Sequence, residues 1–427
     1  MRQIMRYLST LVVLFCLLQC RPDDPRRQEI AGPDLLPGAY QATGYYADKP
    51  PEEGEILFHR YKFSEGKLPI QFDLVSDFYN ERELQIEHGF IMSRVTGYID
   101  TMGNVTIEPK FRNDSLPIID QAGPFREGLA VITQHHYEHV MEDCERRTNI
   151  YETCFPYDFI DTRGKIVSKR PYQIAEEFSD GMAAVRLNSK NSYGYINKEG
   201  KMIIPEVLES MYDFNAGIAL VEKDGQKFYI NKNGERVLSN IHYKDDLHPF
   251  CDGLAIVRKG GSKKYHSQLG TYLEGGLLGY MNTTGKVVIE PKFSDASCFS
   301  DGLAYVETSN GEKGYIDKTG KMRITFKKLH EVDASYGYSE NFSDGLVFAD
   351  YEDDQGRKRG FIDKSGKLII DLTMNRDYQW VGSFSEGLAV VYTKDPNRRI
   401  LFIDKTGKVA FDVNDINRKI WERFKKH

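Results

Sequence analysis

The side chains that could do chemistry fall into two patterns. One is local: His135, His136 and His139 precede Glu142 and Cys144. Imidazole, carboxylate and thiolate are all zinc ligands. This spacing matches neither paired Cys-x-x-Cys nor His-Glu-x-x-His, and it reads as a solvated loop. Asp350, Glu352 and Asp354 ahead of Gly356 approach a calcium loop. Their glycine stands one position late for an EF-hand and no bidentate glutamate follows, so a polar hairpin tip is expected instead. Neither group implies a metal or a cofactor.

The other pattern is a series of single acids, Glu127, Asp180, Asp252, Asp301, Asp344 and Glu386, each immediately before a glycine. They recur too evenly to converge on one active site, and they read as turn acids. Catalytic signatures are absent: there is no Gly-x-Ser-x-Gly elbow, no phosphate-binding Gly-Lys-Ser/Thr loop and no dinucleotide fingerprint. The chain is not expected to be an enzyme, although a carboxylate pair built from loops is an alternative.

The acids belong to a larger repeat. The stretch Phe299-Ser300-Asp301-Gly302-Leu303-Ala304-Tyr305-Val306 returns as Phe384-Ser385-Glu386-Gly387-Leu388-Ala389-Val390-Val391. Between such stretches comes an aromatic-Ile-Asp/Asn turn ending in Gly-Lys, as in Tyr315-Ile316-Asp317-Lys318-Thr319-Gly320-Lys321. The turn glycines fall at Gly103, Gly164, Gly200, Gly234, Gly285, Gly320, Gly366 and Gly407. The first and last are 304 residues apart over seven intervals, and the mean of about 43 suits the roughly 40 to 50 residues of a propeller blade.

Asp or Asn at the head of each turn can bond its own backbone further on, and the glycine three positions later takes the positive φ that closes a bulged hairpin. A positive φ is also expected at Gly302 and Gly387. The flanking runs of β-branched and aromatic residues lack strict alternation, as strands covered on both faces do. The fold class expected is an all-β repeat protein, a seven- or eight-bladed antiparallel β-propeller over 55–411 with an eroded first repeat from Glu55. An open β-solenoid is the alternative. A short C-terminal helix is expected over 412–427.

Gly279-Tyr280-Met281-Asn282-Thr283-Thr284-Gly285-Lys286 followed by Val287-Val288-Ile289-Glu290-Pro291-Lys292-Phe293 resembles the WG-repeat (KWG-repeat) family, as does 97–111. The family's tryptophan before the glycine is replaced by Tyr193, Leu278, Lys313 and Arg359. What the resemblance implies is an envelope or interaction repeat without an assigned chemistry.

Arg2 and Arg6 precede an apolar run from Leu8 to Leu18, too short to span a bilayer and suited to a signal peptide over 1–19. Leu17-Leu18-Gln19-Cys20 resembles a bacterial lipobox, so Cys20 is the expected lipidation site, with Gln19 departing from the usual small residue. Plain secretion and an uncleaved anchor are the alternatives. The proline- and charge-rich segment up to residue 54 reads as a disordered tether. Of the remaining cysteines, Cys144 and Cys154 sit in one insertion and could form a disulfide. Cys251 and Cys298 are open between a bridge and buried small side chains.

Loss of residues 1–19 leaves 55 basic against 63 acidic residues, a balance of −8. With no basic stripe, nucleic acid is not an expected partner. The expectation is a lipid-anchored protein of the bacterial cell envelope whose repeat domain is a binding or protein-interaction scaffold, with a carbohydrate or cell-wall binder as the alternative. The partner would be an envelope protein or glycan, and the membrane would be engaged through the lipid anchor. The parent should label with palmitate and enter the detergent phase; a Cys20→Ser chain that does both equally well removes the lipobox reading.

Overall fold

The computed structural model describes residues 63–80, 85–108, 118–135, 157–168, 170–187, 192–241, 246–266, 270–330, 341–375, 377–394, 399–413, 415–416 and 419. Cys20, Cys144, Cys154, His136, His139, Glu142 and the segments 1–19 and 20–54 lie outside them, as does the His135 side chain. Residues from Lys49 onward form one compact unit.

The described strands sort into eight successive antiparallel blades. The first blade contains Lys67–Asn80, Gln85–Asp100 and Val105–Ile107. The second contains Ile118–Ala122, Leu129–His135 and Tyr157–Asp161. The third runs Ile174–Ala175, Met182–Arg186, Tyr193–Asn197 and Met202–Leu208, and the fourth Ser210–Met211, Ile218–Lys223, Gln226–Asn231 and Arg236–Val237. The fifth has Phe250–Cys251, Leu254–Lys259 and Leu277–Asn282, and the sixth Leu303–Thr308, Lys313–Asp317 and Met322–Phe326. The strand Val287–Ala296 pairs with both, which merges these two into one seven-stranded sheet. The seventh is Lys328–Leu329, Leu346–Asp353, Gly356–Asp363 and Leu368–Asp371, and the eighth Tyr378–Val381, Leu388–Thr393, Ile400–Asp404 and Val409–Asp412.

Strands such as Met182–Arg186 and Leu388–Thr393 are buried along their whole length. That burial explains why their sequences do not alternate, since each blade is covered on both faces by its neighbours. The buried apolar side chains form clusters, each of which joins two consecutive blades. The cluster that contains Phe63, Leu68 and Ile70 with Trp380, Tyr392 and Phe402 joins the eighth blade to the first. The circle is closed by apolar burial as well as by the hydrogen bonds described below.

The turns take the expected form. Asp317 Oδ1 accepts the N–H groups of Thr319 and Lys321 at 2.9 and 3.2 Å, and Gly320 follows at φ 80°. Most turn glycines abut the outer strand of the preceding blade: a Cβ on Gly320 would stand 3.1 Å from Ile289, and one on Gly407 3.0 Å from Ile370, whereas Gly200 and Gly285 face Tyr172 and Ile241. For Gly103 the neighbours are Ile416 at 3.0 Å and, at 3.7 Å, Phe411 of the eighth blade's outer strand, so the helical residue adds to the outer-strand contact beside the first blade. Val413, Asp415, Ile416 and Lys419 are helical, whereas Asp412 still belongs to the last strand. Among the described residues no helix is long and apolar enough to cross a membrane.

The glycine before each Tyr-Ile-Asp has a steric reason that its sequence context does not reveal. A Cβ on Gly314 would lie 2.0 Å from the Ile324 carbonyl oxygen, and one on Gly279 2.3 Å from that of Ile289. At this point the outer strand of the sixth blade carries a bulge at Arg323, opposite Tyr315 and Ile316, and its backbone presses onto the neighbouring strand. Gly302 differs: its φ is 83° but a Cβ would meet nothing within 4 Å. Gly302→Ala should therefore cost about 1–2 kcal/mol from the left-handed conformation alone. Gly314→Ala should cost more, about 3 kcal/mol, because backbone must move. Urea midpoints of the two variants check the order, and equal midpoints contradict it.

Candidate functional site

The acids found in sequence lie in tight turns, one per blade: seven of the eight have the form Phe-x-acid-Gly, and the fourth has Ala216 in the acid's place. In each, the acid and the glycine are both left-handed, as at Asp301 (φ 55°) and Gly302 (φ 83°). Ser300 and Leu303 exchange both backbone hydrogen bonds across them, at 2.9 and 3.1 Å, which makes a two-residue hairpin of the mirror-image type. In that turn the glycine N–H points away from its own hairpin and needs an acceptor. The acceptor is the acid of the preceding turn.

Glu65 accepts from Gly128 at 2.7 Å, and Glu127 from Gly181 at 3.0 Å. Asp180 accepts from Gly217 at 2.5 Å, and Asp252 from Gly302 at 2.9 Å. Asp301 accepts from Gly345, and Asp344 from Gly387, both at 2.6 Å. Glu386 then accepts from Gly66 at 2.7 Å across 320 residues, and the circle closes. The fourth turn has Ala216 in place of the acid; there Asn215 Oδ1 takes the Gly253 N–H at 3.1 Å. Turn acids they are, but they bind the next turn rather than their own.

Five of these carboxylates also receive a lysine from the hairpin of the following blade. The pairs are Lys198–Glu127 (3.0 Å), Lys232–Asp180, Lys318–Asp252 and Lys364–Asp301 (each 2.7 Å), and Lys405–Asp344 (2.9 Å). Glu127 is held below its ordinary pKa: partial desolvation opposes ionisation, and the Lys198 ammonium and the Gly181 N–H outweigh it. Where the acid is Ala216, the lysine position holds Thr283.

Two further links run alongside. Ser179, Ser300 and Ser385 donate their hydroxyls to the carbonyls of Phe214, Phe342 and Phe63 in the next turn, at 2.8, 2.8 and 2.6 Å. In the fifth turn the serine position is Cys251, and it bridges to Cys298, the residue before Phe299. The bridge is thus a covalent version of the serine link, which settles the two readings that the sequence left open. The turn phenylalanines pack against the aromatic ring of the preceding blade: Tyr280 on Phe299 at 4.7 Å, Phe361 on Phe384 at 4.6 Å, and Phe402 on Phe63 at 5.3 Å across the seam. Tyr98, Tyr195, Tyr229 and Tyr280 also donate their hydroxyls to the backbone two residues before the next phenylalanine, at 2.6–2.8 Å.

The residues just ahead of the second, third and fourth turns are more singular. Arg126, in a serine position, reaches Glu177 at 3.1 Å. Glu176 and Asp213 are solvent-exposed yet crowded by protein, and desolvation, reinforced for Glu176 by Asp213 and Glu177, raises both carboxyls. Glu176 is pushed up to about 7. Near the fifth turn the balance is opposite. Burial works against ionisation of Asp246, but His248 at 3.0 Å and Arg258 at 2.5 Å hold it down at about 2.

The remaining sequence candidates are ion-paired, Asp350 buried and Glu352 and Asp354 toward solvent. Asp350 makes a bidentate pair with Arg357, both contacts at 2.8 Å, Glu352 meets Lys328 and His330 at 2.9 Å, and Asp354 meets Lys327 at 3.0 Å. Among the described residues no group of three or more His, Cys, Asp and Glu is placed to hold a metal.

Eight blades locked in a circle define an antiparallel β-propeller. Its repeats are those of a known family: the WG containing repeat matches residues 97–113, 159–190, 193–226, 279–311 and 360–395, so the chain carries WG-containing repeats. No curated protein matches. Among solved structures the chain is similar to a eukaryotic initiation factor (10% identity, 74% of this chain and 93% of that one, TM-score 0.41). It is also similar to BamB from Moraxella catarrhalis (13%, 80% and 96%, 0.32) and to the WD40 β-propeller domain of Doa1 (10%, 66% and 88%, 0.26). At such scores these likenesses carry no argument about this chain, and the architecture rests on its own closed circle of contacts.

Asp301→Ala leaves the Gly345 N–H without its acceptor and should cost about 1–2 kcal/mol. Asp301→Asn keeps an acceptor oxygen, as Asn215 does, and should cost about half as much; chemical denaturation of the pair tests this, and equal losses would assign the effect to Lys364. The raised carboxyl of Glu176 keeps its proton in the folded chain where the unfolded chain has lost it. Its contribution is therefore present at low pH and lost as pH rises toward 7. The melting temperature of Glu176→Gln should fall less than that of the parent between about pH 5 and about pH 8; parallel curves would contradict the assignment.

Proposed function

We propose that the protein is an envelope-anchored interaction scaffold, lipidated at Cys20, whose propeller presents its loops to protein partners. The observation that carries this reading is the assignment of the repeated carboxylates. Each accepts a glycine N–H of the next blade, and five also hold a lysine, so the feature repeated most strongly along the chain serves the frame. A rigid circular frame leaves recognition to the segments that differ between blades. A sugar-binding reading would call on exposed tyrosines; Tyr98, Tyr195, Tyr229 and Tyr280 are almost wholly buried in the frame, and Tyr265 is 77% exposed.

Crosslinking in intact cells followed by mass spectrometry should give protein adducts at inter-strand loops and none at the eight turns. A chain that forms no protein adduct while binding purified cell-wall glycan saturably overturns the proposal.

A further inference from the structure

In the fourth blade the strands Ile218–Lys223 and Gln226–Asn231 are joined by two residues, and in the seventh Leu346–Asp353 and Gly356–Asp363 are joined likewise. In the fifth blade the same connection instead carries a ribbon, Ser262–His266 paired with Gly270–Glu274, which forms a sheet of its own. We propose that this ribbon is an arm that docks on an anionic bilayer surface and so sets how the propeller lies on its membrane, an inference that rests on the envelope reading above.

The ribbon leaves the blade through Gly260 and Gly261 and returns through Gly275 and Gly276, all four at positive φ. A Cβ on Gly276 would stand 2.7 Å from the Gly260 oxygen, so the two strands cross closely at the base. Arg258, whose side chain is only 5% exposed, donates to the Gly275 carbonyl at 2.5 Å while Asp246 holds its Nε. The arm's direction is thereby fixed to the blade. Beyond the base, Lys263 and Lys264 are exposed and Tyr265 is 77% exposed. Glu274 is the single acid between Gly260 and Gly276, and it lies 3.9 Å from Lys264 with both side chains half in solvent. On a chain of net charge −6 this is a local positive projection.

Side chains alternate along a strand, so Lys263 and Tyr265 share one face of the ribbon while Lys264 shares the other with Glu274; a lysine on the same face as an exposed tyrosine suits the headgroup layer. An isolated two-stranded ribbon is also marginal in water and gains from a surface to lie on.

The compact unit Lys49–His427, which lacks Cys20, should co-sediment with vesicles of phosphatidylglycerol and phosphatidylethanolamine and not with phosphatidylcholine alone. Lys263→Ala should weaken that binding about fivefold without lowering the melting temperature, Tyr265→Ser should weaken it further, and Lys264→Ala on the other face should change it little. Failure of the parent to bind anionic vesicles, or binding by Lys263→Ala equal to the parent's, overturns the proposal. So does retention on an acidic polypeptide with no vesicle binding, which would assign the ribbon to a protein partner. Because Cys20 is absent from the tested unit, none of these outcomes depends on lipidation.

Discussion

The structure depends on one orphaned donor. A two-residue hairpin with both central residues left-handed satisfies its outer N–H groups and leaves the glycine N–H turned outward. A carboxylate one blade away supplies that group with a charge-assisted bond, whether the turn is half-buried or exposed. Each turn gives an N–H to its predecessor's acid and its own acid to its successor's N–H. The relation has a direction, and it is complete only when the last turn finds the first: Glu386 and Gly66 meet that condition at 2.7 Å.

The other contacts follow the same directed step. The serine hydroxyls, the aromatic pairs and the turn glycines all run from one blade to the next. Separate chemistries that share one registry constrain the rotation between blades more tightly than any one of them could. The exceptions are local substitutions within this scheme. Asn215 replaces a missing acid, Cys251–Cys298 replaces a hydroxyl bond, and Ile416 joins the outer-strand Phe411 beside Gly103.

Much of the fold was legible in the sequence because turn chemistry is local. Asp317 and Gly320 stand close enough along the chain for their roles to be read from spacing, and the positive φ of Gly302 and Gly387 follows from the same logic. The destination of Asp301 was not legible, because its partner Gly345 is 44 residues away and the acid would look the same closing its own turn. The pairing of Cys251 with Cys298 was equally silent, since its reason lies in the serine position that Cys251 occupies. The role of the glycine before Tyr-Ile-Asp was hidden for another reason, since only the bulged outer strand shows which backbone would collide with a side chain.

The seam has a consequence for the order of assembly. Ser385 donates to the Phe63 carbonyl across 322 residues, so the first turn meets the second early but must wait for the last repeat for its contacts on the other side. Every other step joins blades that are consecutive in the chain and can form as they emerge. Loop closure over such a distance adds only a logarithmic entropy term, but it is the most non-local contact of the fold and therefore the slowest to be found. Until then Phe63 and Phe402 stand as unmatched apolar ends of an open array, the state in which a chain of this kind is most prone to join a second copy instead of itself.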